Sequence, residues 1–257
     1  MKNALIYLVV FLALQAGVTP AIQGLFKLLY GTELQHSTAM LAGMTVANVL
    51  SLAIFLLARW TKVSRSYVQS RPWGVLAWCA VAAVGMILPS MGLQELMPEM
   101  PNLLEKEMLE MMTSQWGYFS VALLAPLVEE LVFRGAILRS LLAKWPLRPG
   151  IAVIVSALIF SFCHGNPAQM PHAFIAGLLL GWMYWRTNSV VPGIALHWTN
   201  NTIAFVLCNV MPDPDASLSE LFGGNWVRIT LAVVFSLCIL LPAIYQLNLR
   251  MKPADEK

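Results

Sequence analysis

Apolar residues run with little interruption through eight stretches of this chain, near 4–29, 38–58, 72–92, 116–142, 150–164, 170–186, 190–209 and 226–247, separated by short polar connections. A helix needs about 20 apolar residues to cross roughly 30 Å of bilayer hydrocarbon. The pattern predicts an all-α, polytopic membrane helix bundle of about eight transmembrane helices, of which the fifth and sixth are short. Such a bundle uses up the chain, so the expectation is one integral-membrane domain over 1–257 with no internal repeat. Two connections are longer. In 93–115, Glu95, Glu99, Glu105, Glu107 and Glu110 alternate with Leu and Met, which predicts an amphipathic helix on the outer surface, with Asn102 as a candidate cap. The segment 209–225 reads as a turn-rich connection.

Composition sharpens this picture. The chain is 58% hydrophobic and 11% charged, against roughly 25% charged in an ordinary soluble domain. The four cysteines, Cys79, Cys163, Cys208 and Cys238, fall within or at the ends of apolar runs, not in a loop-borne disulfide pattern. The segment after Lys2 lacks a convincing small-x-small cleavage site and stays apolar past Pro20, so it is expected to be a retained first helix rather than a signal peptide. Lys and Arg are retained on the cytoplasmic side. With the N-terminus inside, the basic residues from Lys2, Arg59, Lys62, Arg65 and Arg71 to Arg139, Lys144, Arg148, Arg186, Arg250, Lys252 and Lys257 share one side. Only Lys27, Lys106 and Arg228 lie on or near the other. Both termini are therefore expected in the cytoplasm. No patch of this +3 chain suits a nucleic acid.

Against that background "APLVEELVFRG", at 125–135, stands out. An ionised residue at the centre of a spanning helix costs roughly 2.5–3.5 kcal/mol on insertion scales, so it persists where it is paired, faces water or has a function. Glu130 and Arg134 are four apart with the acid first, the favourable order for an ion pair within one helix. Glu129 then points about 100° away and is left over. Pro126 removes a backbone hydrogen bond and should kink the helix beside these charges. "FSFCHG" places His164 four residues after Phe160, and "HWTNN" places His197 four residues before Asn201, so each pair shares a helix face. Each feature has a structural alternative. The charges suit an interhelical ion network, His197 and Asn201 suit hydrogen-bonding between helices, and His164 suits a core histidine. Gly177 and Gly181 form a small-xxx-small pair, read as close packing, and Trp182, Tyr184, Trp185 and Arg186 as an interface anchor.

An acid, two histidines and an asparagine on three different spans together form what hydrolysis inside a membrane requires. The chain has no H-E-x-x-H helix and no G-x-S-x-G turn, and Asp213, Asp215 and Asp255 all fall outside the spans. Cys163 beside His164 diverges from it by about 100° on a helix, a poor arrangement for a thiol nucleophile and its base. Glu and His chemistry remains.

In order, "EELVFR" at 129–134, "FSFCH" at 160–164 and "HWTNN" at 197–201 fit E-E-x-x-x-R, F-x-x-x-H and H-x-x-x-N. The set resembles the CPBP family of intramembrane proteases, which includes the type II CAAX prenyl endopeptidases and bacterial bacteriocin-processing or immunity (Abi) proteins. The likeness covers about 116–209, the expected catalytic core, and the motif positions show no departure. It implies an intramembrane endopeptidase acting on a membrane-associated protein or peptide. Glu129 and His164 would activate a water, His197 and Asn201 would donate to the oxyanion, and Glu130 and Arg134 would form the supporting ion pair. The family is often labelled metalloprotease, and Glu129, His164 and His197 are a candidate zinc set of the His₂Glu type. A metal-free, glutamate-activated water is the other version, and the resemblance leaves both open. The short chain and minimal loops suggest a bacterial cell-membrane protein that processes a secreted peptide or a membrane-anchored regulator. Two other classes compete: an ion-coupled transporter lined by the same residues, for which no inverted repeat is visible, and a non-catalytic immunity or scaffold protein.

Overall fold

A computed structural model describes residues 2–98, 100–213 and 216–253. Among the described residues it is all-helical, without a strand. The helices are α1 (Lys2–Tyr30), α2 (His36–Leu57), the short α3 (Arg65–Gln69), α4 (Trp73–Glu95), α5 (Glu105–Met112), a composite helix α6 over 118–144, α7 (Pro149–Phe162), α8 (Met170–Thr187), α9 (Val191–Val210), the short α10 (Leu218–Leu221) and α11 (Trp226–Arg250).

Each of the eight apolar runs is helical, but only α1, α2, α4 and α11 are long and apolar enough by themselves to cross a membrane. The other four differ for physical reasons. At about 1.5 Å per residue the 14 residues of α7 reach only about 21 Å. Helices α8 and α9 carry polar residues, and α6 is interrupted in its backbone. The expected single helix there is α-helical only at Ala125–Glu129 and Arg139–Lys144. Tyr118–Leu124 and Glu130–Leu138 are wound more widely, with i→i+5 bonding. Pro126 stands at the start of the first α-helical piece. Its missing N–H and bulky ring disfavour a regular α-turn against the preceding residues, and the wide turn before it relieves that conflict.

Helix α6 is the centre of the bundle. Every residue from Glu130 to Leu138 is buried, as expected of a helix surrounded by others on all sides. On one side Leu131, Val132, Phe133 and Ile137 pack with Phe11 of α1, Phe55 of α2 and Val153 and Phe160 of α7. A second core joins Cys79, Ala83 and Met86 of α4 to Leu180 and Met183 of α8, Leu196 of α9 and Ala243 and Leu247 of α11. Helix α11 runs along α4 so closely that a Cβ on Gly85 would stand 2.6 Å from the backbone nitrogen of Leu240.

The outer surface is apolar. Leu28, Leu57, Phe235, Leu158 and Leu241 are among many large side chains left exposed. The chain presents 14028 Å², whereas area–mass scaling for a soluble monomer of 28.4 kDa gives about 11,200 Å². Contiguous apolar surface on this scale needs a non-aqueous partner; this is a membrane protein.

The polar connections differ in detail from expectation. The amphipathic helix expected within 93–115 is α5, preceded by the end of α4 and a loop. Leu104, not Asn102, stands at the N-cap of α5 without a side-chain bond, and Asn102 Oδ1 accepts from Asn166 Nδ2 at 2.7 Å. In the 209–225 connection Ser217 and Glu220 form a reciprocal capping box that starts α10. Glu99, Asp215, Asp255 and Lys257 lie outside the described residues.

Candidate active site

The widened turn of α6 carries Glu130 and Arg134 into the centre of the bundle, where both are fully buried. Arg134 Nη1 donates to Glu130 Oε1 at 2.9 Å, and Nη2 donates to the carbonyl of Gly177 at 3.3 Å. Gly177 lies on α8, where an added Cβ would come within 3.0 Å of Ala157. Its smallness therefore serves two ends: it lets α7 and α8 touch and it leaves a backbone carbonyl within reach of the guanidinium. The close approach of a neighbouring helix was legible in the small-xxx-small spacing; that the neighbour is α7, and that the carbonyl serves as acceptor, were not.

His197 enters from α9. Its Nδ1 lies 3.0 Å from Glu130 Oε1, and its Nε2 lies 3.7 Å from Glu129 Oε2. A carboxylate paired to arginine only accepts, so Nδ1 carries a proton and donates it to Glu130. Nε2 is the ring atom turned toward Glu129. The adjacent glutamates thus have different surroundings: the Glu130 side chain is wholly enclosed, while Glu129 retains 23% exposure. The other oxygen of Glu130, Oε2, is buried without a partner, and Gly193 makes room for it, since a Cβ there would lie 2.6 Å away.

Phe160 is the apolar hub. Arg134 stacks over its ring at 4.2 Å, and the rings of His164 and His197 meet it edge to face at 4.8 and 5.7 Å. The first residue of F-x-x-x-H is therefore a wall that both imidazoles and the guanidinium share. His164, just past the end of α7, donates from Nδ1 to the Phe160 carbonyl at 2.9 Å. A carbonyl cannot donate, so in the neutral ring Nε2 keeps its lone pair. His164 and His197 both lie within electrostatic reach of His172, and Glu129 within that of Cys163. Asn201, one turn beyond His197, donates from Nδ2 to the Val121 carbonyl on α6 at 3.1 Å.

The candidate zinc set does not fit this arrangement. Among the described residues no three His, Cys, Asp or Glu side chains are grouped to hold a metal ion. Nδ1 of each candidate histidine is bonded, one to Glu130 and one to a carbonyl, which leaves Nε2 as the ring atom each has to offer.

Sequence reasoning did not find the part played by His172 and Asn200. His172 Nδ1 lies 2.8 Å from Ser90 Oγ, and Asn200 Nδ2 donates to Asn201 Oδ1 at 3.3 Å. The only sign in the sequence was a third histidine at the start of a span.

Residues 112–203 match the family model described as type II CAAX prenyl endopeptidase Rce1-like. That segment contains Glu129, Glu130, Arg134, His164, His197 and Asn201. No curated protein and no solved structure matches the chain.

Proposed function

On the likeness of residues 112–203 to the type II CAAX prenyl endopeptidase Rce1-like family, we propose a specific chemistry: hydrolysis of a peptide bond by a water held between Glu129 and His164. The observation that carries the proposal is the division of labour between adjacent carboxylates. Glu130 is enclosed and holds both Arg134 and His197 on Oε1, so it holds geometry. Glu129 is partly open and has no hydrogen bond in the ion-pair network, so it is the carboxylate free to take a proton.

In the proposed reaction water adds to the scissile carbonyl carbon while its proton passes to Glu129, with Nε2 of His164 orienting the oxygen. The carbonyl oxygen becomes an oxyanion and receives hydrogen bonds from Asn201 Nδ2 and from Nε2–H of a charged His197, whose Nδ1–H is held by Glu130. Glu129 returns the proton to the leaving amine as the C–N bond breaks. Glu130 and Arg134 touch no reacting atom; they fix the His197 ring.

The same reading takes all eight apolar helices as one membrane domain of the cell membrane, with both termini cytoplasmic and about 116–209 as the catalytic core. Helices α6 to α9, each too short, broken or polar to be a plain span, are those that line the site, and the four long apolar helices flank them. The substrate is a membrane-associated protein or peptide. A bacterial source accords with the short connections.

The deciding experiment compares new protein N-termini in membranes of cells making the native chain or Glu129→Gln at equal level. Cleavage products confined to the native chain are expected. Identical profiles would remove the protease reading and favour transport or a binding-only role.

A further inference from the structure

His164 stands outside the helix that delivers it. Helix α7 ends at Phe162, and Gly165 then takes a left-handed turn at φ +67°, a conformation that glycine adopts without strain. Backbone bonds from His164 to the Ser161 carbonyl and from Gly165 to the Phe162 carbonyl, both 3.2 Å, hold this turn from the helix side. Asn166 holds it from the other. Among the described residues of 162–172, Asn166 alone is buried, at 0% exposure, and both ends of its amide are bonded. The backbone N–H of Leu103 donates to Asn166 Oδ1 at 3.0 Å, and Asn166 Nδ2 donates to Asn102 Oδ1 at 2.7 Å. A backbone N–H can only donate, so Leu103 fixes which end of the amide is the oxygen. A tether positions a group only if its far end is itself fixed. Asn102 and Leu103 lead directly into α5, whose Met111 and Met112 are buried, and the Met112 carbonyl accepts from Asn209 Nδ2 of α9 at 3.2 Å. Helix α9 also carries His197 and Asn201.

We propose that Asn166 is a positioning residue, and that through it α5 acts as a strut setting the His164 turn at a fixed distance from the oxyanion donors of α9. The proposal rests on the hydrolytic reading above. Its physical basis is a division between two kinds of restraint. The Nδ1 bond of His164 to the Phe160 carbonyl and its edge-to-face contact with the Phe160 ring both belong to α7, so they set the rotation of the imidazole. They do not set where the turn lies relative to α9. The path from Asn166 through Leu103 and α5 to Met112 and Asn209 does. Asparagine suits the task because its short side chain carries a donor and an acceptor together, one for a side chain and one for the backbone of the same neighbouring segment. The segment before α5, polar and outside the spans, thereby gains a part in catalysis without touching the reacting atoms.

The test has two arms. ¹⁵N NMR of the full chain, labelled at histidine and held in detergent micelles, reads the His164 ring without any substrate. The His164 resonances are expected to shift in Asn166→Ala and, by less, in Asn102→Ala, while those of His36, at the start of α2, stay in place. His164 resonances that do not move in Asn102→Ala would overturn the proposal; Asn102 is exposed, so this variant decides the matter even where Asn166→Ala fails to fold. The second arm follows the rate at which the native chain's cleavage products form in membranes. Asn166→Ala is expected to slow it about tenfold to a hundredfold, the scale of a misplacement of about 1 Å. Asn102→Ala, which removes one of the two bonds, is expected to show part of that loss. Asn102→Asp, which keeps the oxygen that Asn166 donates to, is expected to work at the native rate. A rate unchanged in Asn102→Ala, or an equal loss in Asn102→Asp, assigns the tether to surface packing and refutes the proposal. If native chain and Glu129→Gln yield the same products, the hydrolytic reading is what fails, and the resonance arm still decides whether Asn166 sets His164.

Discussion

Glu129 and Glu130 are neighbours on one helix with the same functional group, and the bundle gives them opposite surroundings. Glu130 has an arginine and an imidazole on one oxygen and no water-facing surface. Glu129 stands partly open, 3.7 Å from the far side of the same imidazole. A buried charge must be neutralised and hydrogen-bonded to persist, which leaves no capacity for chemistry. A reactive carboxylate needs the reverse, an approachable oxygen and a nearby group to orient water. Helix rotation alone separates the two cases.

That contrast can be broken at several points. The largest effect is expected from Glu129→Gln, which keeps size and removes the base: cleavage rates fall by about 10²–10⁴, while the thermal unfolding midpoint in detergent stays near that of the native chain. Next comes Arg134→Ala, which removes the guanidinium and leaves the buried Glu130 carboxylate with His197 alone. Destabilisation of about 3–5 kcal/mol is expected, read as loss of folded protein by size-exclusion and thermal unfolding, with the double variant Glu130→Gln/Arg134→Met recovering part of it. If Arg134→Ala folds normally, the ion pair is not what holds the centre of the bundle.

Gly193→Ala sharpens the comparison sterically. Its Cβ would press on Glu130 Oε2 at 2.6 Å, an oxygen whose carboxylate is pinned by two partners, so a loss of about 1–3 kcal/mol is expected. Calorimetry of Gly193→Ala beside Gly150→Ala, where a Cβ meets nothing, provides the control. The smallest effect lies away from the site. Burial, and secondarily the nearby Cys79, raises the Tyr67 hydroxyl from 10.0 to about 12. A folded-state value above the unfolded one stabilises fully below about 10 and loses that contribution as pH rises toward about 12. The native unfolding midpoint should fall across that window, and Tyr67→Phe should flatten the fall.

Much of this was legible in the order of residues. Apolar runs marked the helices because lipid and core both demand them, and the spacing of Glu130 and Arg134 marked a pair because four residues make about one helical turn. Other features were not legible. Pro126 announced a disturbance of the helix but not its form, two widely wound stretches at Tyr118–Leu124 and Glu130–Leu138. Asn102 looked like a cap and became a partner of Asn166, because the loop, not the helix, set its surroundings.

Local chemistry and periodicity, which reside in the sequence, thus determined that this chain is a helical membrane protein and which few polar residues stand within it. Only the tertiary structure decided their relations: that Phe160 is the wall shared by two imidazoles and a guanidinium, that the carbonyl of Gly177 completes Arg134, and that Asn201 reaches the Val121 carbonyl. The physical reason is that hydrogen bonds and ring contacts between helices depend on rotation and depth. Packing of whole helices fixes both, and no run of neighbouring residues records them.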